Sequence, residues 1–155
     1  MFFKIQSNPS ENISLKNIYS SRNDAVNALA ELKRWGRTHG PCKIVGTEEP
    51  SNMFEIWQMR DDDWAHGYKF FDYKTANQLG YVAQDFYRCV YREEIDSDTK
   101  PGHTLLGNLF SRFNCQKPAD YLAASMSVSD VIVLRNGAKA KAFYVEPFGF
   151  LEGAF

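Results

Sequence analysis

The 155 residues suit one domain, or one domain with a small appended module. Hydrophobic residues make up 44% and aromatics 15%, enough to fill a core, so a disordered chain is excluded. Eighteen basic residues against nineteen acidic ones leave a net charge of −1, which disfavours a nucleic-acid binder relying on bulk charge and excludes an acidic whole-surface mimic of DNA.

In chain order, Phe2 to Gln6 reads as a short strand, and SNPSEN supplies turn residues. Ile18-Tyr19 lead into SSRNDAVNALAELKRWG, where Ser20 or Ser21 can accept an orphaned backbone N–H and cap a helix. Ala25, Ala28, Leu29 and Leu32 recur at i, i+3, i+4 and i+7 on one helical face, Trp35 is expected to close that face, and Gly36 can take the left-handed conformation that stops the helix. Cys42 to Gly46 and Phe54 to Met59 read as strands around the turn-like TEEPSN. The start of the chain thus looks like a β-α-β-β unit, with residues 1–55 set apart from 56–155.

DDDWAHG is a polar loop, Tyr68 to Tyr73 is expected to be extended, and Thr75 to Leu79 is a short helix ended by Gly80. FYRCVYREE carries the aromatic and β-branched content of a strand. After the loop DSDTKPGH, Leu106, Leu109, Phe110 and Phe113 form a second amphipathic helix, with Asn114 as its stop. VIVLR and AKAFYVE flank Asn136-Gly137, a favoured pair for a type I′ hairpin turn, and Pro147 ends pairing because it has no N–H for a ladder. Phe143 and Val145 alternate with Tyr144, as in a sheet with one face more buried than the other. The expected fold is α+β: an antiparallel sheet with two main amphipathic helices packed on it and a C-terminal hairpin.

Cys42, Cys89 and Cys115 are scattered and odd in number, which supports neither zinc nor a disulfide framework and suits a reducing cytosol. MFFKIQSNPS has no long apolar stretch of the signal-peptide kind, and no run approaches the roughly 20 apolar residues of a membrane span. Asp61, Asp62 and Asp63 are consecutive, so they point in different directions and complete no EF-hand loop. No metal or cofactor is expected.

Ser125, Ser127, Ser129 and Asp130 sit just before the hairpin. A serine nucleophile needs a base within reach, and His39, His66 and His103 carry no partner motif, so these side chains are expected to bond to main chain at the strand entrance. Glu93 and Glu94 face opposite sides of a strand and make a poor acid/base pair. Charge is clustered: Lys33, Arg34, Arg37 and Lys43 are basic, Glu48, Glu49, Glu55 and Asp61 to Asp63 and then Glu93, Glu94, Asp96 and Asp98 acidic, and Arg135, Lys139 and Lys141 basic again, which reads as solvated faces or as a bipolar surface that docks a charged partner. Trp64, beside the aspartates, is an expected interface anchor.

IWQMR, YKFFDYKTANQLGY, FYRCVYREE, LLGNLFSRFN, PADY, SMSVSDVIVL and FYVEPFGF follow one another in this order. From about Ile56 onward the chain resembles the YodL-like domain family on these pieces, including its serine-aspartate signature and its ending Phe148-Gly149-Phe150. Glu146 and Pro147 stand where the family usually has aspartate and serine. The resemblance implies a setting in phage and mobile genetic elements but no particular reaction. Together with the residues it leads to an expected non-catalytic interaction domain acting in the host cytosol on a host protein or nucleoprotein, such as a defence nuclease in the manner of anti-CRISPR or anti-restriction inhibition. The alternatives are a nucleic-acid-binding accessory of element transfer or replication, using Lys33, Arg34, Arg37 and Lys43, and an enzyme built on Ser127 or Ser129 with Asp130.

Overall fold

A computed structural model describes residues 1–60 and 69–155. β1 (Phe2–Gln6) pairs antiparallel with the two-residue β2 (Ile18–Tyr19) on one side and with β3 (Lys43–Thr47) on the other. α1 (Arg22–Arg34) joins β2 to β3 and packs Ala25 and Leu32 onto Ile5 and Tyr19, closing a small core. Of the two candidate caps Ser21 is used: its Oγ accepts from the Asp24 N–H at 3.0 Å. Ser21→Ala should therefore cost about 1 kcal/mol. At this chain length that lowers the thermal midpoint by about 2–4 °C in a calorimetric scan.

At the other end of α1, Gly36 (φ 66) reverses the chain and the Arg37 N–H reaches the Leu32 carbonyl at 2.8 Å. Trp35 does not close the apolar face. It follows the last helical residue with φ −87 and ψ 6, leaves the helical rotation there, and is 66% exposed.

The second sheet contains β4 (Asn52–Met59), β5 (Tyr87–Glu94), β6 (Val131–Asn136), β7 (Lys139–Val145) and β8 (Phe150–Glu152), in the order β5-β4-β6-β7-β8 with every pair antiparallel. The N-terminal β-α-β-β reading is corrected here, because β4 pairs with β5 and β6 and takes no place beside β1 or β3. The boundary drawn between residues 55 and 56 falls inside β4. Asn17 ties the sheets together: its N–H donates to Asp120 Oδ2 at 2.6 Å and its Oδ1 accepts from the Arg92 N–H at 2.9 Å.

α3 (His103–Cys115) covers one face of the larger sheet, with Leu106, Leu109 and Phe113 against Phe54, Ile56, Tyr91, Ile132 and Phe143. Asn114 does not stop this helix. Its side-chain amide donates to the Phe110 carbonyl at 2.8 Å, a bond made inside the helix, and the helix runs on through Cys115. α2 (Tyr73–Gln78) lies over the other face, where Ala76 joins Met59, Tyr87, Val131, Val133 and Tyr144. It starts two residues before the expected Thr75, because Asp72 caps it by accepting from the Thr75 N–H at 2.9 Å. Tyr68 lies outside the described residues, and Tyr73, expected to be extended, is the first helical residue. With both faces covered, Phe143, Tyr144 and Val145 are all buried, so the expected contrast between faces is absent.

The hairpin forms where expected, with a different turn. Asn136 pairs with Lys139 inside the ladder, leaving Gly137 and Ala138 as the central residues. Of these four residues only Gly137 has positive φ (58), which matches a type II′ turn with glycine first rather than type I′. After Pro147 the chain turns at Gly149 (φ 87) and returns as β8.

Candidate interaction surfaces

The serine-aspartate segment enters β6 from a bend. Ser125 is exposed, Ser127 half-buried, and Ser129 and Asp130 are buried at 2% and 5% exposure. Ser129 has φ 84, a left-handed backbone that costs a non-glycine residue about 1–3 kcal/mol unless its surroundings hold it. They do so at three atoms. The Ser129 N–H donates to the Val145 carbonyl at 3.0 Å, its carbonyl accepts from Tyr87 Oη at 2.7 Å, and its Oγ accepts from the Phe70 N–H at 3.2 Å. Phe70 is itself left-handed (φ 72), so the two strained residues hold each other.

Asp130 Oδ2 accepts from the Ser127 N–H at 3.0 Å and from Gln58 Nε2 at 3.2 Å. Burial pushes the Asp130 carboxyl up to about 7, although those two bonds and the charge of Lys69 pull it down. The cavity beside it measures about 60 Å³ and is lined by Gln58, Lys69, Ser125 and Ser127 among others. Small-molecule sites usually take about 300–1,000 Å³. His39 and His103 sit after α1 and at the start of α3 and make no hydrogen bond to these serines, and His66 lies outside the described residues.

Further along, Glu146 Oε1 accepts from the Tyr73 N–H at 2.7 Å, so the residue that departs from the family's usual aspartate ties the end of β7 to the start of α2. Phe148 is 98% exposed at the turn before Gly149, while Phe150 packs edge-on against Phe110 with ring centroids 6.4 Å apart.

Glu93 and Glu94 part company as the strand geometry requires. Glu93 is buried with Arg112 Nη2 at 2.8 Å and Tyr91 Oη at 2.9 Å, and Glu94 is exposed with Lys4 Nζ at 3.8 Å. The most connected carboxylate is Glu55, which the sequence groups with a solvated acidic stretch and the structure buries. Its Oε1 meets Arg92 Nε at 3.2 Å and Arg135 Nε at 2.9 Å, and its Oε2 accepts from the Trp57 indole at 2.7 Å. Burial raises its pKa, but the hydrogen bonds from Arg135 and Trp57 and the charges of both arginines outweigh that and hold it below the usual carboxylate range. A glutamate alternating with Met53 and Trp57 along an apolar strand was the available signal.

The basic cluster lies at the end of α1. Lys33, Arg34, Trp35 and Arg37 are all exposed there. Glu31 orients two of them, pairing with Arg34 Nη1 at 3.0 Å and accepting from the Trp35 indole at 3.2 Å. From Leu32 to Thr47 the chain carries four Lys or Arg and no Asp or Glu, the fourth being exposed Lys43 on β3. Glu11 pins the loop that follows, accepting from Thr38 Oγ1 at 2.6 Å and from the His39 and Gly40 N–H groups. Asp61, Asp62, Asp63 and Trp64 lie outside the described residues.

Two antiparallel sheets, one with α1 and one between α2 and α3, define an α+β protein, and no helix among the described residues is long and apolar enough to cross a membrane. No group of three or more His, Cys, Asp or Glu among those residues is placed to hold a metal ion. The family model of the YodL-like domain matches residues 53–155, two thirds of the chain, and the chain belongs to that family. The match takes in the whole larger sheet except the first residue of β4, together with α2 and α3. No curated protein and no solved structure matches the chain.

Proposed function

We propose that this chain is a non-catalytic interaction domain, carried by a phage or mobile element, that docks on an acidic host protein or nucleoprotein through the end of α1. The target is a host defence nuclease complex, inhibited in the manner of anti-CRISPR or anti-restriction proteins. The setting comes from the family resemblance, and the observation that carries the contact surface is Trp35. A tryptophan 66% exposed, fixed by Glu31 and flanked by Lys33, Arg34 and Arg37, presents the residue types that dominate binding energy at interfaces. Asp61, Asp62, Asp63 and Trp64 are proposed as a separate acidic and aromatic contact to a basic part of the same partner.

Trp35→Ala should weaken the complex by about 2 kcal/mol, roughly thirtyfold. Because Trp35 is exposed, the thermal midpoint should stay where it is. Affinity capture on the intact chain, followed by calorimetric titration of the retained partner, reads both. A partner held equally well by Trp35→Ala and by charge reversal of Arg34 and Arg37 ends the proposal for this surface.

The same tryptophan favours a second reading, in which a base stacks on Trp35 and phosphates meet the four cations. Four phosphate contacts to a single strand predict a log–log salt slope of about −3. Fluorescence anisotropy with a single-stranded DNA and a single-stranded RNA between 50 and 200 mM salt decides it. A flat response with no binding removes this reading and leaves the protein partner.

A further inference from the structure

A groove of about 600 Å³ opens on the opposite side of the larger sheet from α2, between the start of α3 and the end of the β6–β7 hairpin. Its position follows from strand alternation. Leu134, Lys141, Lys139 and Phe143 point to the face that α3 covers, and α3 covers only part of it. Leu134 and Phe143 form the floor, with Ile95 and Leu105 at the sides, all four buried or half-buried. Lys139 and Lys141 stand at the mouth, both exposed. Lys141 has Glu152 Oε1 at 3.8 Å, a contact between two exposed side chains that is weakly held. Lys139 forms no ion pair among the described residues. Arg135 borders the groove too, but its guanidinium is engaged by Glu55.

The volume lies in the range of small-molecule sites, which are lined mainly by apolar side chains with a few polar groups that fix orientation. Here the apolar part is confined to the floor and sides, the remaining lining is polar, with Asn52, Ser97, Thr99, His103 and Asn136 among it, and its charge selects the sign of the ligand. At the mouth two lysines stand against the single carboxylate of Glu152, which among the described residues pairs only with Lys141, so an anion there gains attraction that a neutral or cationic group does not. We propose that this groove binds a small amphipathic anion, with a flat or branched apolar body on the Leu134–Phe143 floor and a carboxylate, sulfonate or phosphate head at Lys139 and Lys141. Apart from Asn52 the lining lies within the family-matched residues, and none of it belongs to α1, so the site stands independently of the Trp35 surface.

The test uses the intact chain and two fluorescent probes of one shape, 8-anilinonaphthalene-1-sulfonate and its uncharged analogue N-phenyl-1-naphthylamine. The sulfonate should bind at one site per chain and more tightly than the neutral probe. It should also perturb the methyl resonances of Ile95, Leu105 and Leu134. Reversing both lysines, Lys139→Glu with Lys141→Glu, should weaken the sulfonate at least tenfold and move the neutral probe less than twofold. Because both positions are exposed, an unchanged thermal midpoint will show that folding is intact. Leu105→Asn should weaken both probes, which separates the apolar part from the charged part. Sulfonate affinity unchanged by the double reversal, several weak sites per chain, or methyl shifts elsewhere on the protein would each overturn the proposal.

Discussion

Glu55→Ala is expected to lower the unfolding free energy by about 3 kcal/mol, near the low end of the cost of breaking a buried ion pair. At this chain length the thermal midpoint should fall by about 10 °C. The loss is large because one carboxylate serves three donors. Its side chain is only 4% exposed, while Arg92 and Arg135 are 18% and 35% exposed, so neither arginine regains full hydration when the partner is removed. The Trp57 indole N–H loses its acceptor as well. Arg135 is the more accessible of the two, which is why the expected cost sits at the low end. Glu55→Gln should lose about half as much, since an amide oxygen still accepts from Trp57 while the charge is gone. Adding Arg135→Met to Glu55→Ala should recover part of the loss, because it removes an unpaired cation rather than another contact. Urea unfolding followed by tryptophan fluorescence gives all three values. A Glu55→Ala loss below 1 kcal/mol would mean that water already screens the cluster.

That cluster shows where the sequence stopped being readable. Arg92 and Arg135 are 37 and 80 residues from Glu55, and nothing local joins them. Only the strand register, with Arg92 and Val133 both opposite Glu55, brings them onto one face. Periodicity identifies a strand but does not choose its neighbours, so β4 could be read as a strand and still be assigned to the wrong sheet. β2 and β8 were invisible for a simpler reason: strands of two and three residues are too short to show alternation. The helical stripes of α1 and α3 were legible because their spacing alone determines which side is buried, with Leu32, Leu106 and Phe113 all inside.

The serine-aspartate segment was legible in type but not in geometry. Hydroxyl and carboxylate side chains before a strand do bond to main chain, as Ser129 Oγ does with the Phe70 N–H and Asp130 with the Ser127 N–H. The left-handed Ser129 and Phe70 could not be foreseen, since neither is glycine and each is held by a contact across 59 residues. Trp35 was misassigned by a rule that continues the helical face one turn too far: Gly36 ends the helix, and the backbone at Trp35 no longer follows its rotation. Stopping residues thus decide exposure at their neighbours as well as their own conformation.

The same buried segment gives the steepest expected pH effect. Asp130 titrates near 7 in the folded chain, chiefly through desolvation, and near 3.9 when unfolded. Between those values the unfolded chain has given up the proton and the folded chain has kept it, so stability falls as pH rises from about 4 to 7 and levels off above. The span of roughly three units corresponds to a change on the order of 4 kcal/mol. Asp120 acts in the same direction, raised by burial and by Glu93, whereas Glu55 acts oppositely: its lowered pKa adds stability above the unfolded value that is lost as pH falls through the folded one. These contributions are common to the parent and to Asp130→Asn, which keeps an acceptor for the Ser127 N–H and Gln58 and cannot ionise. The informative quantity is therefore the difference between the two proteins. Whatever constant cost the extra amide N–H groups impose, the unfolding free energy of Asp130→Asn should rise relative to the parent by about 4 kcal/mol between pH 4 and pH 8. Most of that rise should lie between pH 4 and 7. Urea unfolding of both proteins at half-unit pH steps measures it. Parallel curves would place the folded-state carboxyl back in the ordinary range and Asp130 in contact with water.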